Sequence, residues 1–333
     1  MENFQLAQFP ATHPLVGIAR LAAQSPQVRC RADVEYFSLE TRSALNRESS
    51  GRMPFAWTLN PYRGCEFACV YCYARYAHEF MEMWEPRDFE QKIYAKAGTP
   101  ELLRQELRRA KDRGQAIALG TATDPYQPAE REFEITRRML QALAEFEGLD
   151  LSITTKSVLI LRDLDLLQAI AAKHRFSVHM TVTTTDERLA RRLEPKAPPP
   201  AKRLEAVRQL AQAGVHAGVN AMPILPGLND SRRALERLAQ AAAAARAQFL
   251  YGNLLFLKPS AWRRFMPFLE EEFPELVSRY RQLYGCSAYL RGPYADEIAR
   301  LIRELRERYR LNVPRPPAPP CSRPCQLSLP CDL

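Results

Sequence analysis

Residues 60–75 read Asn60-Pro-Tyr-Arg-Gly-Cys-Glu-Phe-Ala-Cys-Val-Tyr-Cys-Tyr-Ala-Arg75, so three cysteines, Cys65, Cys69 and Cys72, fall within eight residues. A closed structural zinc site requires four protein ligands, and no fourth cysteine lies nearby. Thiolates are the standard ligands of iron–sulfur clusters, and three of them on a four-iron cluster leave one iron open to a substrate or cofactor. The stretch therefore indicates a catalytic iron–sulfur centre. Buried thiols or part of a zinc knuckle are the alternatives.

The spacing Cys-x3-Cys-x2-Cys, with Tyr71 directly before the third cysteine, resembles the signature of the radical S-adenosylmethionine (SAM) superfamily. The resemblance implies that Cys65, Cys69 and Cys72 bind a 4Fe-4S cluster, that SAM chelates the open iron, and that Tyr71 packs near the adenine of SAM. It also implies reductive cleavage of SAM to methionine and a 5′-deoxyadenosyl radical, which abstracts a hydrogen atom from the substrate.

Composition is that of one main globular domain. The chain has 333 residues, of which 46% are hydrophobic and 26% charged, and a barrel-like α/β domain can accommodate this length. An acidic residue follows Met1, and Arg246 interrupts the most apolar stretch, so we expect neither a signal peptide nor a membrane span. The protein is predicted to be cytoplasmic, where its eight cysteines would be metal ligands or free thiols rather than disulfides.

Apolar strand-like runs alternate with helical segments along the chain. Alternation at this spacing predicts parallel strands joined by right-handed crossovers, but it does not distinguish a doubly wound sheet from a barrel. The family resemblance implies an α/β fold with a partial (β/α)6 barrel, whose site lies at the carboxyl ends of the strands. Strands are predicted at residues 55–59, 116–119, 151–155, 176–182, 215–220 and 249–256, and helices at about residues 73–84, 131–146 and 161–172.

Four segments are expected. Residues 1–52 have weak periodicity and form a partly ordered lead-in, residues 53–260 form the barrel core, and residues 261–311 form helices packed on it. Residues 312–333 form a Pro/Cys-rich tail that begins with an extended proline run. Its cysteines, Cys321, Cys325 and Cys331, could bind an auxiliary cluster or a zinc ion, with Cys286 as a further ligand; a mobile tail with free thiols is the alternative.

Several later motifs, taken together, resemble the spore photoproduct lyase-like branch of the superfamily over about residues 50–260. The resemblance implies that Thr123, Lys156 and Ser157 hold the carboxylate and ribose of SAM. A solvated strand end is the alternative for Lys156, and Asp124-Pro125 and Asn229-Asp230 are also ordinary turn pairs. The motifs are Gly120-Thr-Ala-Thr-Asp-Pro-Tyr-Gln-Pro128, Thr154-Thr-Lys-Ser157, Leu193-Glu-Pro-Lys-Ala-Pro198 and Pro223-Ile-Leu-Pro-Gly-Leu-Asn-Asp230.

His179, Thr181 and Thr183 alternate along one predicted strand and therefore share one face, which is the barrel interior if the fold is a barrel. The two threonines could hydrogen-bond the sugar of SAM. A run of β-branched residues is also simply a favourable strand sequence.

The resemblance to spore photoproduct lyase breaks at one position. That enzyme uses a cysteine, a few residues before the aspartate at the end of this strand, as hydrogen donor to a thymine radical, whereas this chain has Thr121 there. No cysteine occurs between Cys72 and Cys286. We therefore predict that the chain does not repair the spore photoproduct by the cysteine-donor route.

The substrate is the least determined feature. A net charge of +9 and the basic stretches 104–113 and 188–203 fit a polyanion such as nucleic acid. These arginines alternate with glutamates, however, as on solvated outer faces of helices. A peptide or small-molecule substrate, or a non-catalytic iron–sulfur or zinc accessory protein, are the alternatives. An electron donor such as a flavodoxin or ferredoxin is the expected partner, with no membrane involvement.

Overall fold

The computed structural model describes residues 14–49, 51, 53–109 and 115–317. Within these residues the chain forms eleven strands: β1 (Gln27–Arg31), β2 (Val34–Ser38), β3 (Leu45–Arg47), β4 (Trp57–Leu59), β5 (Tyr62–Arg63), β6 (Lys92–Ala95), β7 (Ala116–Leu119), β8 (Asp150–Thr155), β9 (Arg175–Thr181), β10 (Ala217–Ile224) and β11 (Leu250–Leu254).

The same residues form thirteen α-helices: α1 (Gly17–Ala23), α2 (Tyr76–Glu79), α3 (Asp88–Gln91), α4 (Thr99–Arg109), α5 (Glu130–Phe133), α6 (Ile135–Ala144), α7 (Leu164–Ala171), α8 (Glu187–Leu193), α9 (Pro200–Gln212), α10 (Arg232–Ala244), α11 (Pro259–Glu272), α12 (Val277–Tyr284) and α13 (Pro293–Arg308). Short 3-10 helices lie at Tyr73–Arg75, Val158–Asp163 and Pro274–Leu276.

The main sheet has the strand order β11-β10-β9-β8-β7-β4-β3. Six strands of this sheet, β4, β7, β8, β9, β10 and β11, each pair in parallel with the next strand in the order. Only β3 pairs antiparallel, at the edge beside β4. All six predicted strands are present, within a few residues of their predicted limits. The α/β prediction of a partial barrel of six βα units is confirmed.

The core lies between this sheet and the helices that cover it. Along β8 the side chains alternate between fully buried and half-buried, with Leu151 and Ile153 buried. These pack in one apolar cluster with Leu140 of α6 and with Leu167 and Ile170 of α7. The helices thus seal the outer face, and the carboxyl ends of the strands remain to form a site.

Two predicted helices are shorter than expected. The helix predicted over residues 131–146 is split into α5 and α6 at Glu134, whose φ of 49° lies in the left-handed region. The helix predicted over residues 73–84 ends at Glu79, and Glu82 also adopts a left-handed conformation, with φ 60°. A non-glycine residue in that region interrupts a right-handed helix.

The segment before residue 52, for which no strand or helix is predicted, contributes to two sheets. β1 and β2 form a second sheet of order β1-β2-β6-β5, and β3 extends the main sheet. β5 leads directly into the cysteine loop, so the second sheet holds the start of that loop. The limits of the four predicted segments stay predictions.

The described part of the tail runs along the amino ends of the strands. Asn312 bridges to Phe249, which precedes β11, and Arg315 forms an ion pair of 2.6 Å with Asp150, the first residue of β8. This end is opposite the cysteine loop. In the described part of the chain no helix is long and apolar enough to cross a membrane.

Candidate active site

The three cysteines lie in a loop between β5 and the 3-10 helix at Tyr73–Arg75, at the carboxyl end of β4. Gly64 enters the loop with φ +84°, and a Cβ there would lie 2.8 Å from the carbonyl oxygen of Lys92. Only glycine accommodates both the backbone conformation and this close approach. The Cys65 amide then donates to the carbonyl of Phe89 at 2.8 Å, which fixes the start of the loop against α3.

A buried carboxylate anchors the loop between the first and second cysteines. Glu66 accepts from the Tyr36 hydroxyl at 2.9 Å and from the Ala129 amide at 2.7 Å, and its own amide donates to the side chain of Gln127 at 3.0 Å. Gln127 and Thr123 both donate to the carbonyl of Gly64, at 3.1 and 2.7 Å. The loop after β7 therefore holds the cysteine loop in place.

A buried guanidinium fixes the middle cysteine. Arg75 donates to the carbonyl of Cys69 at 2.8 Å and pairs with Glu90 at 2.6 Å, and Arg264 of α11 approaches the same carboxylate at 3.2 Å. The backbone at Cys69 is thus held by a network of charge-assisted hydrogen bonds.

The cysteine side chains are free thiols, with Cys65 and Cys69 buried and Cys72 half-buried. Burial raises the pKa of Cys65 well above its ordinary value, and it raises the pKa of Cys69 to about 12. Thiols in such surroundings stay protonated until a metal centre displaces their protons. The apolar lining, which includes Phe67, Val70 and Leu193, limits water at the site.

The donor set fits an iron–sulfur cluster better than a single zinc ion. Within the described residues no three histidine, cysteine, aspartate or glutamate side chains come close enough together to bind one metal ion. A zinc site needs such a group, whereas the cysteines of a four-iron cluster each bind a different iron. Cys65, Cys69 and Cys72 are three free thiols of one loop, which is the donor set of a four-iron cluster with one open iron.

Tyr71 is held by a buried acid. Its hydroxyl donates to Glu194 and lies 3.1 Å from the hydroxyl of Thr183, which itself donates to Glu194 at 2.7 Å. Glu194 forms a buried ion pair of 2.5 Å with Arg203 of α9. Burial would raise the pKa of Glu194, but Arg203 and Lys156 hold it below its ordinary value. The carboxylate is thus charged and fixes the phenol.

Lys156 lies just beyond β8, as predicted, with its ammonium group 5.7 Å from the ring centre of Tyr71. Burial alone would lower the pKa of Lys156, but Cys69 and Glu194 keep it above its ordinary value. Asp124 accepts from the Lys156 amide at 2.7 Å and from the Thr155 hydroxyl at 2.7 Å. Asp124 therefore ties the ends of β7 and β8 together, and it also accepts from the Tyr126 amide at 2.9 Å, as a turn aspartate does.

The structure groups the predicted cofactor residues unevenly. Tyr71 contacts both Lys156 and Thr183, so these three predicted residues lie together beside Cys69. Thr181 is buried at the end of β9. The hydroxyls of Thr123 and Ser157 already have protein partners: that of Thr123 donates to Gly64, and that of Ser157 caps the 3-10 helix by accepting from the Leu159 amide at 3.2 Å. Cofactor contacts by these residues stay predictions.

His179 lies deeper on the same strand. It approaches Asn220 at 3.3 Å and Ser177 at 3.1 Å, and its ring packs 4.7 Å from that of Phe249. Arg315 of the tail comes within 3.5 Å of Ser177. His179 therefore lies toward the amino ends of the strands, away from the cysteines.

Aromatic side chains border the opening above the strand ends. We call Tyr73, Tyr76, Phe256 and Tyr289 the aromatic rim. The ring centres of Tyr73 and Phe256 are 5.9 Å apart, and Phe256 stacks on Tyr289 at 4.2 Å. Tyr73 follows Cys72 and Phe256 follows β11, so the rim joins the first and last units of the open barrel. Lys258 places its ammonium group 3.7 Å from the ring centre of Tyr76.

The tail cysteines Cys321, Cys325 and Cys331 lie outside the described residues. Cys286 is exposed after α12, next to a segment in which Ala288 accepts from the Leu257 amide at 3.0 Å. Cys286 thus lies on the carboxyl-end side of the barrel, whereas the tail starts at the amino ends.

Sequence reasoning missed the buried pair Glu194–Arg203 and the anchors Glu66 and Gln127. Glu66, Gln127 and Glu194 all lie within the sequence motifs, so a signal for them was present. Neither composition nor periodicity shows that a glutamate in such a motif is fully buried.

Residues 59–239 match the sequence profile described as the Radical SAM superfamily. The chain belongs to the radical SAM superfamily. The family prediction is confirmed, and the superfamily implies a 4Fe-4S cluster, SAM and a reductant.

This radical SAM enzyme also resembles two uncharacterised proteins. One, from Mycobacterium tuberculosis, is 37% identical over 92% of this chain and 88% of its own length, and one from Methanocaldococcus jannaschii is 29% identical over 81% and 94%.

Solved structures of spore photoproduct lyase share the fold of this radical SAM enzyme. A mutant of that lyase superposes with a TM-score of 0.61 at 17% identity, over 81% of this chain and 78% of that chain. Another mutant, with bound AdoMet and dinucleoside spore photoproduct, gives 0.60 at the same identity and coverage. At this identity the likeness shows the shared partial barrel.

Proposed function

We propose that this radical SAM enzyme binds a 4Fe-4S cluster through Cys65, Cys69 and Cys72 and abstracts a hydrogen atom from a base of a nucleic-acid or nucleotide substrate. The observation that carries the proposal is the loop of three free thiols, anchored at the carboxyl ends of six parallel strands. When bound there, the reduced cluster and SAM would supply a 5′-deoxyadenosyl radical, with methionine as the second product of cleavage.

The side chains around Tyr71 are proposed to orient SAM. Lys156 offers a cation beside Cys69 in poorly solvated surroundings, where pairing with a carboxylate is stronger than at the surface. Thr181 and Thr183 are proposed to contact the sugar. Thr123 and Ser157 are proposed to hold the carboxylate and ribose of SAM while also fixing their loops, since the Thr123 hydroxyl donates to the carbonyl of Gly64 and the Ser157 hydroxyl accepts from the Leu159 amide.

The aromatic rim supports a planar substrate. Tyr73 and Tyr289 are 38% and 43% exposed, next to the loop that carries Cys72. Stacking of a base on an aromatic side chain contributes about 1–3 kcal/mol, and Lys258 adds a cation at the same place. The spore photoproduct lyase structure with a dinucleoside lesion agrees with such a substrate.

The two basic stretches give mixed support to nucleic-acid binding. Of the seven arginines that the structure describes in them, three are paired with carboxylates: Arg104 with Glu145, Arg192 with Glu272, and Arg203 with Glu194. The aromatic rim, which lies beside the loop that carries Cys72, is therefore proposed as the main recognition surface.

Formation of 5′-deoxyadenosine tests the proposed reaction. The chain would be reconstituted with iron and sulfide without oxygen, reduced with dithionite and supplied with SAM. We expect 5′-deoxyadenosine from the wild type and from Cys30→Ala, whose thiol is exposed on β1, but not from Cys69→Ala. Normal product from Cys69→Ala would refute the cluster assignment, and no product from the loaded wild type would indicate an accessory protein.

Binding to single-stranded DNA at several salt concentrations tests the substrate class. For a nucleic-acid substrate, the logarithm of the binding constant should fall linearly with the logarithm of salt concentration. Salt-independent or absent binding would favour a peptide or small molecule.

The proposal also includes an electron donor and an auxiliary metal site. A reductant such as a flavodoxin or ferredoxin would supply the electron. An auxiliary cluster or zinc at Cys321, Cys325 and Cys331 is proposed from the sequence alone, and its test is the metal content of the triple Cys→Ser variant. Unchanged iron and zinc would remove the auxiliary site.

A further inference from the structure

Lys96 is a buried lysine near the strand ends. It follows β6, is only 7% exposed, and donates one hydrogen bond of 2.9 Å to the carbonyl of Asn60, at the carboxyl end of β4. An ammonium group has three donors, so two remain for other partners. Asn60 also contacts Thr121 and the Ala122 amide at the end of β7. The ammonium group of Lys96 therefore lies beside the carboxyl ends of β4 and β7.

Arg63 lies on the same face of the second sheet. In the antiparallel pair β5–β6, Arg63 is opposite Tyr94, and the Lys96 amide donates to the carbonyl of Pro61 at 3.1 Å. Side chains alternate along strands, so Arg63 and Lys96 are diagonal neighbours on one face. Arg63 donates to the carbonyl of Ala77 at 3.3 Å, and its buried Nε has no hydrogen-bond partner.

Within the described residues neither cation has a carboxylate partner. Burying a cation without an anion is costly, and the two like charges also repel each other. Burial and the nearby Arg63 lower the pKa of Lys96 to about 7. A structural role alone would favour a paired or an apolar residue here.

The surroundings are suited to a ligand that is both anionic and planar. Burial raises the pKa of Tyr76, a member of the aromatic rim, and the positive charge of Arg63 opposes this rise. Lys258 covers the ring of the same tyrosine. Three cations and the rim thus share one region beside the loop that carries Cys72.

We propose that Lys96 and Arg63 form a phosphate-binding subsite at the floor of the substrate opening. A guanidinium can donate two parallel hydrogen bonds to a phosphate, and an ammonium adds a point charge. The assignment rests on the proposed function, because the bound phosphate would belong to a nucleotide whose base stacks on the aromatic rim.

Binding of inorganic phosphate to the full reconstituted chain tests the subsite without reductant. The thermal midpoint would be followed against phosphate, with potassium chloride of equal ionic strength as the reference. We expect saturable stabilisation in the wild type, because a ligand that binds only the folded state raises its stability. Lys96→Met should weaken phosphate binding at least about tenfold, whereas Lys202→Met, at an exposed position of α9, should not change it.

Two further measurements separate binding from folding. Without phosphate, Lys96→Met should be as stable as the wild type or more so, because it removes an unpaired buried charge. If it were less stable and bound phosphate normally, Lys96 would be structural and the subsite refuted. Arg63→Lys keeps the charge but loses the two-pronged donor, so it should weaken phosphate binding by a smaller factor than Lys96→Met.

Two control ligands identify the anion. Acetate at the same ionic strength should stabilise the wild type less than phosphate; equal stabilisation would indicate a carboxylate subsite and overturn the phosphate assignment. Saturating SAM should leave phosphate binding unchanged. Loss of phosphate binding in the presence of SAM would place Lys96 in the cofactor site and also overturn the proposal. Because these assays need no radical chemistry, their failure would not affect the SAM cleavage test.

Discussion

Glu194 and Arg203 form an ion pair of 2.5 Å that is almost completely shielded from solvent, and the other oxygen of Glu194 accepts from the Tyr71 hydroxyl. The pair joins the end of α8 to α9, and Arg203 also donates to the carbonyl of Thr181 at 3.1 Å. The residue before the third cysteine and the end of β9 are therefore positioned by one buried charge pair.

We expect Glu194→Gln to destabilise the metal-free protein by about 3–5 kcal/mol, because the change leaves the Arg203 guanidinium buried without an anion. The matched control is Glu205→Gln on the same helix as Arg203. Glu205 pairs with Arg208 at the surface, and such pairs contribute about 0–1 kcal/mol. Urea unfolding of the two variants measures the difference, and equal losses would show that the buried pair has no special role.

Gly120 ends β7 with φ +88°, and a Cβ there would lie 2.5 Å from the carbonyl oxygen of Thr154. We expect Gly120→Ala to cost about 3 kcal/mol, from left-handed strain and from the clash. Gly148 has a similar φ of +73° but nothing within 4 Å of its Cβ position, so Gly148→Ala should cost only about 1 kcal/mol. The free energies of unfolding of both variants decide this, and a Gly120→Ala value no larger than the control would contradict the close approach.

Acid should destabilise the fold through buried histidines. Burial lowers the pKa of both His78 and His174 to about 4, below the value of about 6.5 for an unfolded chain. The neutral His174 ring accepts from the Leu149 amide at 3.1 Å, and protonation would break that bond. The stabilisation is therefore complete above pH 6.5 and is lost as the pH falls toward 4, because the unfolded chain binds more protons.

His174→Gln measures how much the protonation of His174 contributes to the pH dependence of stability. Between about pH 6 and 4.5 the variant should lose stability less steeply than the wild type, by up to about 1.4 kcal/mol per pH unit. Above pH 7.5 the two slopes should coincide, which serves as the internal control. Identical slopes in the acid range would mean that His174 is protonated in the folded protein.

The main sheet was predictable because parallel strands covered on both faces appear as short, nearly continuous apolar runs. The segment at β7 was predicted at its observed limits. β1 was not predicted, since all five of its residues are exposed and give no periodic pattern. β5 and β6 were missed because β5 has two residues and their pairing depends on a contact about thirty residues apart.

The cysteine ligands were predictable because their spacing is local. Lys96 was not, since a single lysine after a short strand has the same sequence pattern whether it is solvated or buried. The Tyr71–Glu194 contact joins residues 123 positions apart, so it depends on how the cysteine loop and the end of α8 meet in three dimensions. A motif can mark Glu194 as unusual, but only the fold shows its partner.

Thr121 distinguishes this chain from spore photoproduct lyase. By the family resemblance, that enzyme has a hydrogen-donating cysteine at this position. The Thr121 hydroxyl accepts from Asn60 at 3.3 Å, and its carbonyl accepts from the Tyr73 hydroxyl, so the residue faces the opening beside the cysteine loop. An alcohol O–H is a much poorer hydrogen-atom donor than a thiol.

The expected outcome is that the reduced, SAM-loaded enzyme does not return the dinucleotide lesion to two thymines in a clean, stoichiometric reaction. SAM cleavage to 5′-deoxyadenosine in the same tubes is the control that the enzyme is active. Thr121→Cys tests the position itself, because a thiol there should increase repair relative to the wild type if the lesion binds at the rim. Stoichiometric repair by the wild type would show that another group donates the hydrogen atom and would contradict the prediction.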